Sequence, residues 1–250
     1  MVRIARLARA PRLTGAVIFA AAMAAVLATA GCDALGSTSS GSSSSSSGGA
    51  HSANRAFTVS DRVTAVVIDG GAGSVSVTGS SRSSVAVSQH LSYSSKPPTA
   101  SHSLRGTTLT VSYACPAELL CSVSYQVQVP RDVAVSVTTR AGAVTLDSLA
   151  GRVSAQADAG LITASGLRSS VASFKTDAGG INAGFAAAPA SVSAVTDVGP
   201  IELTVPKTAR YQVSTHTLVG KSTVTVPVAS SSAHAITARS DVGVISIGPA

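Results

Sequence analysis

Val153-Ser-Ala-Gln-Ala-Asp-Ala-Gly160-Leu-Ile-Thr-Ala-Ser-Gly166 is the stretch that decides the fold, because close variants of it recur along the chain. The glycine at the centre of each copy falls at Gly73, Gly142, Gly160, Gly179, Gly199, Gly220 and Gly243. On both sides of this glycine, apolar residues occupy every second position, which is the period of a half-buried strand rather than of a helix. Each copy is therefore predicted to form a strand, a turn and a second strand.

Three positions of the repeat are predicted to face the core. Seven residues before the glycine stand Val66, Val135, Val153, Ala172, Val192, Val213 and Ile236. Two residues after it stand Val75, Val144, Ile162, Ile181, Ile201, Ser222 and Ile245, and four after it stand Val77, Leu146, Ala164, Ala183, Leu203, Val224 and Ile247. Ser222 is the one polar residue in these three columns.

The spacing of the copies predicts an all-β fold of stacked coils. From Gly142 onward, successive glycines lie 18, 19, 20, 21 and 23 residues apart. A period near 20 residues is typical of repeat architectures in which each unit buries its apolar face against its neighbours, so we expect a single-stranded β-solenoid. The longer alternating stretches between Gly73 and Gly142 predict a more irregular antiparallel cap at the N-terminal end, because a bare stack end is an unpaired β edge.

The residues around each glycine are predicted to form structural turns. Glycine adopts positive φ without steric cost, and an aspartate near it can hydrogen-bond to the turn backbone. Aspartates stand two residues before the glycine in four copies, at Asp158, Asp177, Asp197 and Asp241. A stack of these carboxylates also resembles a cation ladder or a pair of catalytic acids, and both alternatives stay open beside the turn interpretation.

The first 31 residues are predicted to be a lipoprotein signal peptide. Arg3, Arg6, Arg9 and Arg12 precede an uncharged, alanine-rich run over residues 16–30, which is too short for a comfortable transmembrane helix and suits an export signal. Ala28-Thr-Ala-Gly-Cys32 resembles a bacterial lipobox, in which Cys32 receives a diacylglyceryl lipid and cleavage occurs before it. Ordinary signal cleavage after Ala30 is the alternative.

A Ser/Gly-rich stretch separates this signal from the repeats. Residues 32–55 are predicted to form the lipidated cysteine and a flexible tether, because Ser and Gly lack the apolar surface that could offset the entropy of ordering. Residues 56–250 are predicted to form the folded domain, which is long enough for one solid core.

The remaining two cysteines, Cys115 and Cys121, flank a five-residue loop between two strand-like stretches. In an exported protein they are predicted to form a disulfide that closes this loop. A zinc site is disfavoured, since zinc prefers four ligands and no His or Cys stands near them in sequence. No bound metal ion and no cofactor are therefore predicted.

Charge and composition argue against nucleic-acid binding and against catalysis. The formal net charge of +7 falls to +3 without the four signal arginines, and the remaining charges are scattered. The five histidines show no paired spacing, and the serines form neither a Gly-x-Ser-x-Gly elbow nor a Ser-x-x-Lys motif. The chain has no Trp, four Tyr and four Phe, which is little for the aromatic platforms of carbohydrate-active enzymes. No catalytic residues are predicted.

The order of these motifs resembles a known family. A first strand, a glycine turn followed by Ser74-Val-Ser-Val77, the element Tyr125-Gln-Val-Gln-Val-Pro130 and serial Val-x-x-x-x-x-x-Gly-x-Ile-x-Leu units are similar to the bacterial putative-adhesin family of β-strand-repeat proteins, related to auto-transporter adhesin head domains. The resemblance covers residues 56–250 and implies a β-repeat fold with an adhesive role. The Ala-, Val-, Arg- and Ser-rich composition is typical of a high-GC actinobacterium.

Together these features predict a non-catalytic cell-surface lipoprotein, anchored to the outer face of the cell membrane through its N-terminal lipid. Its β-strand-repeat module would serve adhesion or presentation, with an unidentified cell-wall, surface-protein or glycan partner binding across an outer face rather than in a pocket. The alternatives are an envelope-associated scaffold or sensor of wall or membrane state, and a polysaccharide-active β-helix enzyme.

Overall fold

A computed structural model describes residues 50–116 and 120–250. All regular elements in these residues are strands, and no helix in this part of the chain could span a membrane. The first seven strands are β1 His51–Val59, β2 Ala65–Ala72, β3 Val75–Ser80, β4 Val85–Tyr93, β5 Thr99–Arg105, β6 Thr108–Ala114 and β7 Cys121–Pro130. The next six are β8 Ala134–Ala141, β9 Val144–Asp147, β10 Val153–Ala159, β11 Ile162–Leu167, β12 Val171–Ala178 and β13 Ile181–Phe185. The last six are β14 Ser191–Val198, β15 Ile201–Val205, β16 Gln212–Val219, β17 Ser222–Val224, β18 Ala235–Val242 and β19 Ile245–Pro249.

The strands form two large mixed sheets. The ten-stranded sheet has the order β1-β4-β7-β3-β9-β11-β13-β15-β19-β17, and the nine-stranded sheet has the order β16-β18-β14-β12-β10-β8-β2-β6-β5. Neighbouring repeat strands pair in parallel, whereas β1, β4 and β5 pair antiparallel at the N-terminal end. The side chains between the sheets form one apolar core.

The prediction of a single-stranded β-solenoid is therefore wrong, although the prediction of an all-β fold is confirmed. The strands build a sandwich-like pair of sheets rather than a closed coil, and the antiparallel strands extend both sheets instead of forming a separate cap. The reason lies in the connections. On one side of the molecule, the repeated glycine marks where each strand crosses to the other sheet. The links on the opposite side, at residues 148–152, 168–170 and 186–190, differ in length and carry no glycine at a common position.

The predicted core columns are confirmed as continuous rows, and their members are buried in every copy except the one centred on Gly220, where Ser222 and Val224 are exposed and Val213 is half-buried. The residues seven before the glycine pair directly across the nine-stranded sheet, from Val66 to Val135 and onward to Ile236 and Val213. The residues two and four after the glycine do the same across the ten-stranded sheet. The period-2 pattern thus fixed both the faces and the register, because a slip of one residue would expose every apolar side chain.

The last two copies do not stack in sequence order. Strands β18 and β19, which come last in the chain, lie between the β14/β15 copy and the β16/β17 copy. Strands β16 and β17 therefore form the C-terminal edges of the two sheets. This order of the copies explains Ser222. Its copy lies at the edge of the stack with one side facing solvent, and Ser222 is exposed there.

In the inward row that lies five residues before the glycine, one large side chain stands between two small ones. Phe174 is fully buried and pairs in register with Ala155 on one side and Ala194 on the other. Interdigitation of this kind fills the space between two sheets at the density of a protein interior.

Candidate functional site

The proposed lipidation site and most of the tether lie outside the described residues. Cys32 and the signal segment belong to residues 1–49. The first described strand, β1, begins at His51, which lies inside the stretch predicted as tether. Its pairing with β4 ties this end of the chain to the edge of the ten-stranded sheet.

The predicted disulfide between Cys115 and Cys121 is present. Their Cα atoms lie 5.8 Å apart, within the usual range for a disulfide. Cys115 follows β6 in the nine-stranded sheet, and Cys121 begins β7 in the ten-stranded sheet. The bond therefore joins the two sheets where the chain crosses between them, and it is typical of an extracytoplasmic protein.

The recurring glycines stack on one another along one side of the molecule. Gly160 has a φ of 150° and Gly179 has the same value, a backbone conformation that other residues rarely adopt. A Cβ atom at Gly179 would also collide with the carbonyl oxygen of Gly160, and one at Gly160 would collide with that of Gly142. Glycine is thus required twice over, by its φ and by the approach of the neighbouring copy.

A row of buried or half-buried hydroxyl groups accompanies the glycines, and it was not among the predicted features. Three residues before the glycine, most copies carry Thr or Ser, whose hydroxyl donates to a glycine carbonyl oxygen of a neighbouring copy at 2.8–3.3 Å. These residues are Thr139, Thr176, Thr196, Thr217 and Ser240. The sequence does contain a sign of this row. Thr or Ser recurs at a position that the alternation places inside, and a buried hydroxyl group needs a hydrogen-bond partner in each copy.

The four aspartates lie on adjacent strands and form what we call the acidic file: Asp158, Asp177, Asp197 and Asp241. The residues on either side of each aspartate pair in register with the next strand, which places the carboxylates about 4.8 Å apart per step. Lys175 approaches Asp177 at 3.7 Å and Arg239 approaches Asp241 at 3.1 Å. Among the described residues these carboxylates accept no hydrogen bond from the turn backbone, so their role as turn-formers stays a prediction.

An open groove of about 570 Å³ lies on the outer face of the ten-stranded sheet, at the antiparallel strands. No pocket was predicted from the sequence, because β1, β3, β4 and β7 are separated along the chain and come together only in the fold. Short serine side chains form its floor, and longer polar side chains rise around it. Its outward-facing polar residues are Asn54, Ser74, Ser76, Ser88, His90, Ser124 and Gln126.

Two contacts define the wall of this groove. His90 Nδ1 lies 2.7 Å from Asn54 Oδ1. His90 is the register partner of Ser124, whose hydroxyl accepts a hydrogen bond from the Ser74 backbone N–H at 3.3 Å. Activation of a serine requires a hydrogen bond to a base, and the bonds of the described residues do not include one between Ser124 and His90. Arg55 also lines the groove, so the arrangement suits hydrogen bonding to a polar ligand and brings one positive charge to it.

Tyr125 lies beneath the groove, with its ring in the core. It is 1% exposed, and its hydroxyl has no hydrogen-bond partner among the described residues. Burial raises the pKa of this phenol, and the neighbouring Tyr113 and Asp69 raise it further. Tyr113, in contrast, donates its hydroxyl proton to the Ala72 carbonyl oxygen and accepts from the Ala72 N–H, both at 2.6 Å. Tyr125 therefore stays neutral and acts as a large core side chain.

Comparison with known proteins yields remote structural likenesses. No family model and no curated protein matches the chain. A "putative cell adhesion protein" from Clostridium sporogenes is 10% identical, with 80% of this chain and 100% of that chain covered and a TM-score of 0.46. A "putative adhesin" from Bacteroides fragilis is 12% identical, with 79% and 97% covered and a TM-score of 0.47. A "putative lipid binding protein" from Parabacteroides distasonis is 9% identical, with 80% and 96% covered and a TM-score of 0.34. At these scores the likenesses assign neither a fold nor a function to this chain.

Proposed function

We propose that this protein is a non-catalytic cell-surface lipoprotein whose β-repeat domain presents an adhesive or docking surface at the envelope. The observation that carries the proposal is the order of features along the chain. An export signal, Cys32, a Ser/Gly tether and a disulfide-containing β domain follow one another. Each part has a physical role in this arrangement: the lipid anchors, the tether gives reach, and the stacked strands hold a rigid surface.

The non-catalytic part of the proposal is supported by the placement of the reactive side chains. In residues 50–116 and 120–250, no three His, Cys, Asp or Glu side chains come together as metal ligands. No carboxylate of the described chain lines the polar groove, where a polysaccharide hydrolase would need two. The acidic file stands on an exposed surface instead, and four of the histidines are exposed side chains.

Replacing Cys32 with alanine tests the anchor. The lipid needs the Cys32 thiol, so the Cys32→Ala variant is expected to leave the membrane fraction and to lose the mass of the lipid. Cell fractionation and intact-mass spectrometry of the processed protein measure both effects. Ser37→Ala, a change in the tether, is the matched control and should fractionate as the wild type does. A Cys32→Ala protein that stays in the membrane with unchanged modification would show that the lipoprotein assignment is wrong.

A further inference from the structure

One side of the molecule carries a line of exposed apolar side chains, which we call the turn ridge. Six of the ten large hydrophobic residues that are exposed in the described chain lie here, one or two positions before or one position after the stacked glycines. Exposed Pro200 joins them. The ridge consists of Leu161, Val198, Pro200, Leu218, Val219, Val242 and Val244, which are 47–65% exposed where they are Leu or Val.

The ridge is continuous rather than a set of isolated residues. The backbone N–H groups of Ile162, Ile181 and Ile201 donate to the carbonyl oxygens of Gly180, Pro200 and Val244 in the adjacent copies, so the positions after the glycine follow one another directly. A methyl group added at Gly180 would lie 3.2 Å from the Leu161 side chain and 3.4 Å from the Pro200 ring. These two side chains thus flank the bare glycine between them, and the apolar line spans five copies, about 19 Å at one strand spacing per step.

The acidic file runs beside this ridge, one residue away along each strand. Asp177 and Asp241 have basic neighbours, whereas Asp158 and Asp197 make no ion pair within the described residues. Asp158 and Asp197 lie two strands apart, about 10 Å. Lys175 and Arg239 stand two residues farther from the ridge than the file does. Arg140 continues the file on β8, in register beside Asp158 but without an ion pair to it, and Lys221 lies at the opposite end of the ridge.

We propose that the turn ridge binds a protein segment that presents apolar side chains beside two basic residues about 10 Å apart. The apolar side chains would cover the ridge, and the basic groups would meet Asp158 and Asp197. A spacing of about 10 Å corresponds to seven residues along a helix, at 1.5 Å per residue. An exposed apolar strip with a charged rim is the usual form of such a docking surface. The inference rests on the proposed presentation role, but not on the lipid anchor.

Two other occupants fit the charges poorly. An anionic membrane surface attracts basic residues, and the unpaired carboxylates beside the ridge would repel it. A second copy of this chain could pack ridge to ridge in two symmetric ways. One would place the acidic file against the same file of the other copy, and the other would place it against the outer face of the ten-stranded sheet. That face carries Thr163, Asn182 and Glu202 beside the ridge, and none of these is basic.

The test uses the full chain, purified as the cell processes it, and two synthetic amphipathic helices. One peptide carries a leucine face flanked by lysines seven residues apart, and the other carries glutamates in place of the lysines. We expect the lysine peptide alone to bind, with NMR shift changes confined to the turn ridge. Val198→Ser and Val244→Ser should each weaken binding about fivefold to tenfold. Asp158→Asn and Asp197→Asn should weaken it and reduce its salt dependence.

Val67→Ser is the matched control, since Val67 is 37% exposed on β2 and lies off the ridge. It should leave peptide binding unchanged, and thermal melts establish that every variant is folded. Equal binding of both peptides, binding of neither, or shift changes elsewhere would overturn the proposal. So would binding to vesicles of phosphatidylcholine with phosphatidylglycerol, or a ridge-dependent dimer in sedimentation. Because fractionation of Cys32→Ala reports on the anchor alone, the two proposals fail independently.

Discussion

Gly179→Ala should lower the free energy of unfolding by about 4 kcal/mol or more and leave little folded protein, because two costs fall on one added methyl group. The φ of 150° at Gly179 is a conformation that alanine resists. The methyl group would also collide with the carbonyl oxygen of Gly160, which belongs to the adjacent copy and cannot move without breaking the ladder. Urea denaturation followed by circular dichroism measures the loss.

Gly106→Ala is the matched control for this prediction. Gly106 also has a positive φ, 59°, but an added Cβ atom would meet nothing within 4 Å. Its replacement should cost only the backbone strain, about 1–2 kcal/mol. If Gly179→Ala cost no more than Gly106→Ala, the copies would not approach each other at the glycines as described.

Phe174→Asp should unfold the domain. Phe174 is fully buried between the sheets, and the substitution both removes the ring from its place beside Ala155 and Ala194 and buries a carboxylate without a partner. Each effect costs several kcal/mol. Domains are typically stable by about 5–15 kcal/mol, and the sum of the two effects exceeds the lower end of that range. Thermal melts and the yield of soluble protein measure the outcome.

The identical change one residue earlier gives the comparison. Ser173 is exposed on the opposite face of β12, between Ser154 and Ser193 in register, and no charge stands in these positions. Ser173→Asp should cost about 1 kcal/mol or less. Equal effects at residues 173 and 174 would mean that the assigned faces of β12 are wrong.

The period of the apolar residues was sufficient to predict the repeat strands, their faces and the residues that align between copies. The three core columns, the glycine at each crossing and the Cys115–Cys121 disulfide all followed from spacing and residue type. These features depend on local chemistry: alternation sets which face is buried, and positive φ selects glycine.

The closure of the fold and the order of the copies could not be predicted in the same way. The repeat marks one crossing between the sheets by a glycine, whereas the links on the opposite side vary in length and composition, so a closed coil and two open sheets share the same pattern. The position of β18 between β14 and β16 depends on which copy tolerates a solvent-facing side. Ser222 is the polar break in the core columns, but a single residue does not indicate where its copy lies in the stack.

The surfaces were the least predictable part. The polar groove needs residues from β1, β3, β4 and β7, which only the antiparallel pairing brings together. The turn ridge, in contrast, follows the repeat, with Leu161, Pro200 and Val244 each one residue after a glycine. The alternation alone does not show whether these apolar residues are exposed or buried like those of the core columns. Exposure separates them, and exposure depends on how tightly the chain bends at each glycine.

Disulfide cross-linking tests most directly the central claim that the copies form a rigid stack with the last copy inserted between two earlier ones. In the structure Arg239 of β18 pairs in register with Val195 of β14 on one side and with His216 of β16 on the other. Cysteines placed at 195 and 239, or at 239 and 216, should therefore join under mild oxidation, since directly opposed neighbours lie within reach of a disulfide. Cysteines at 195 and 216, about 10 Å apart across an intervening strand, should stay unjoined. Peptide mass mapping reads the result, and a bond between 195 and 216 without one between 195 and 239 would contradict the account.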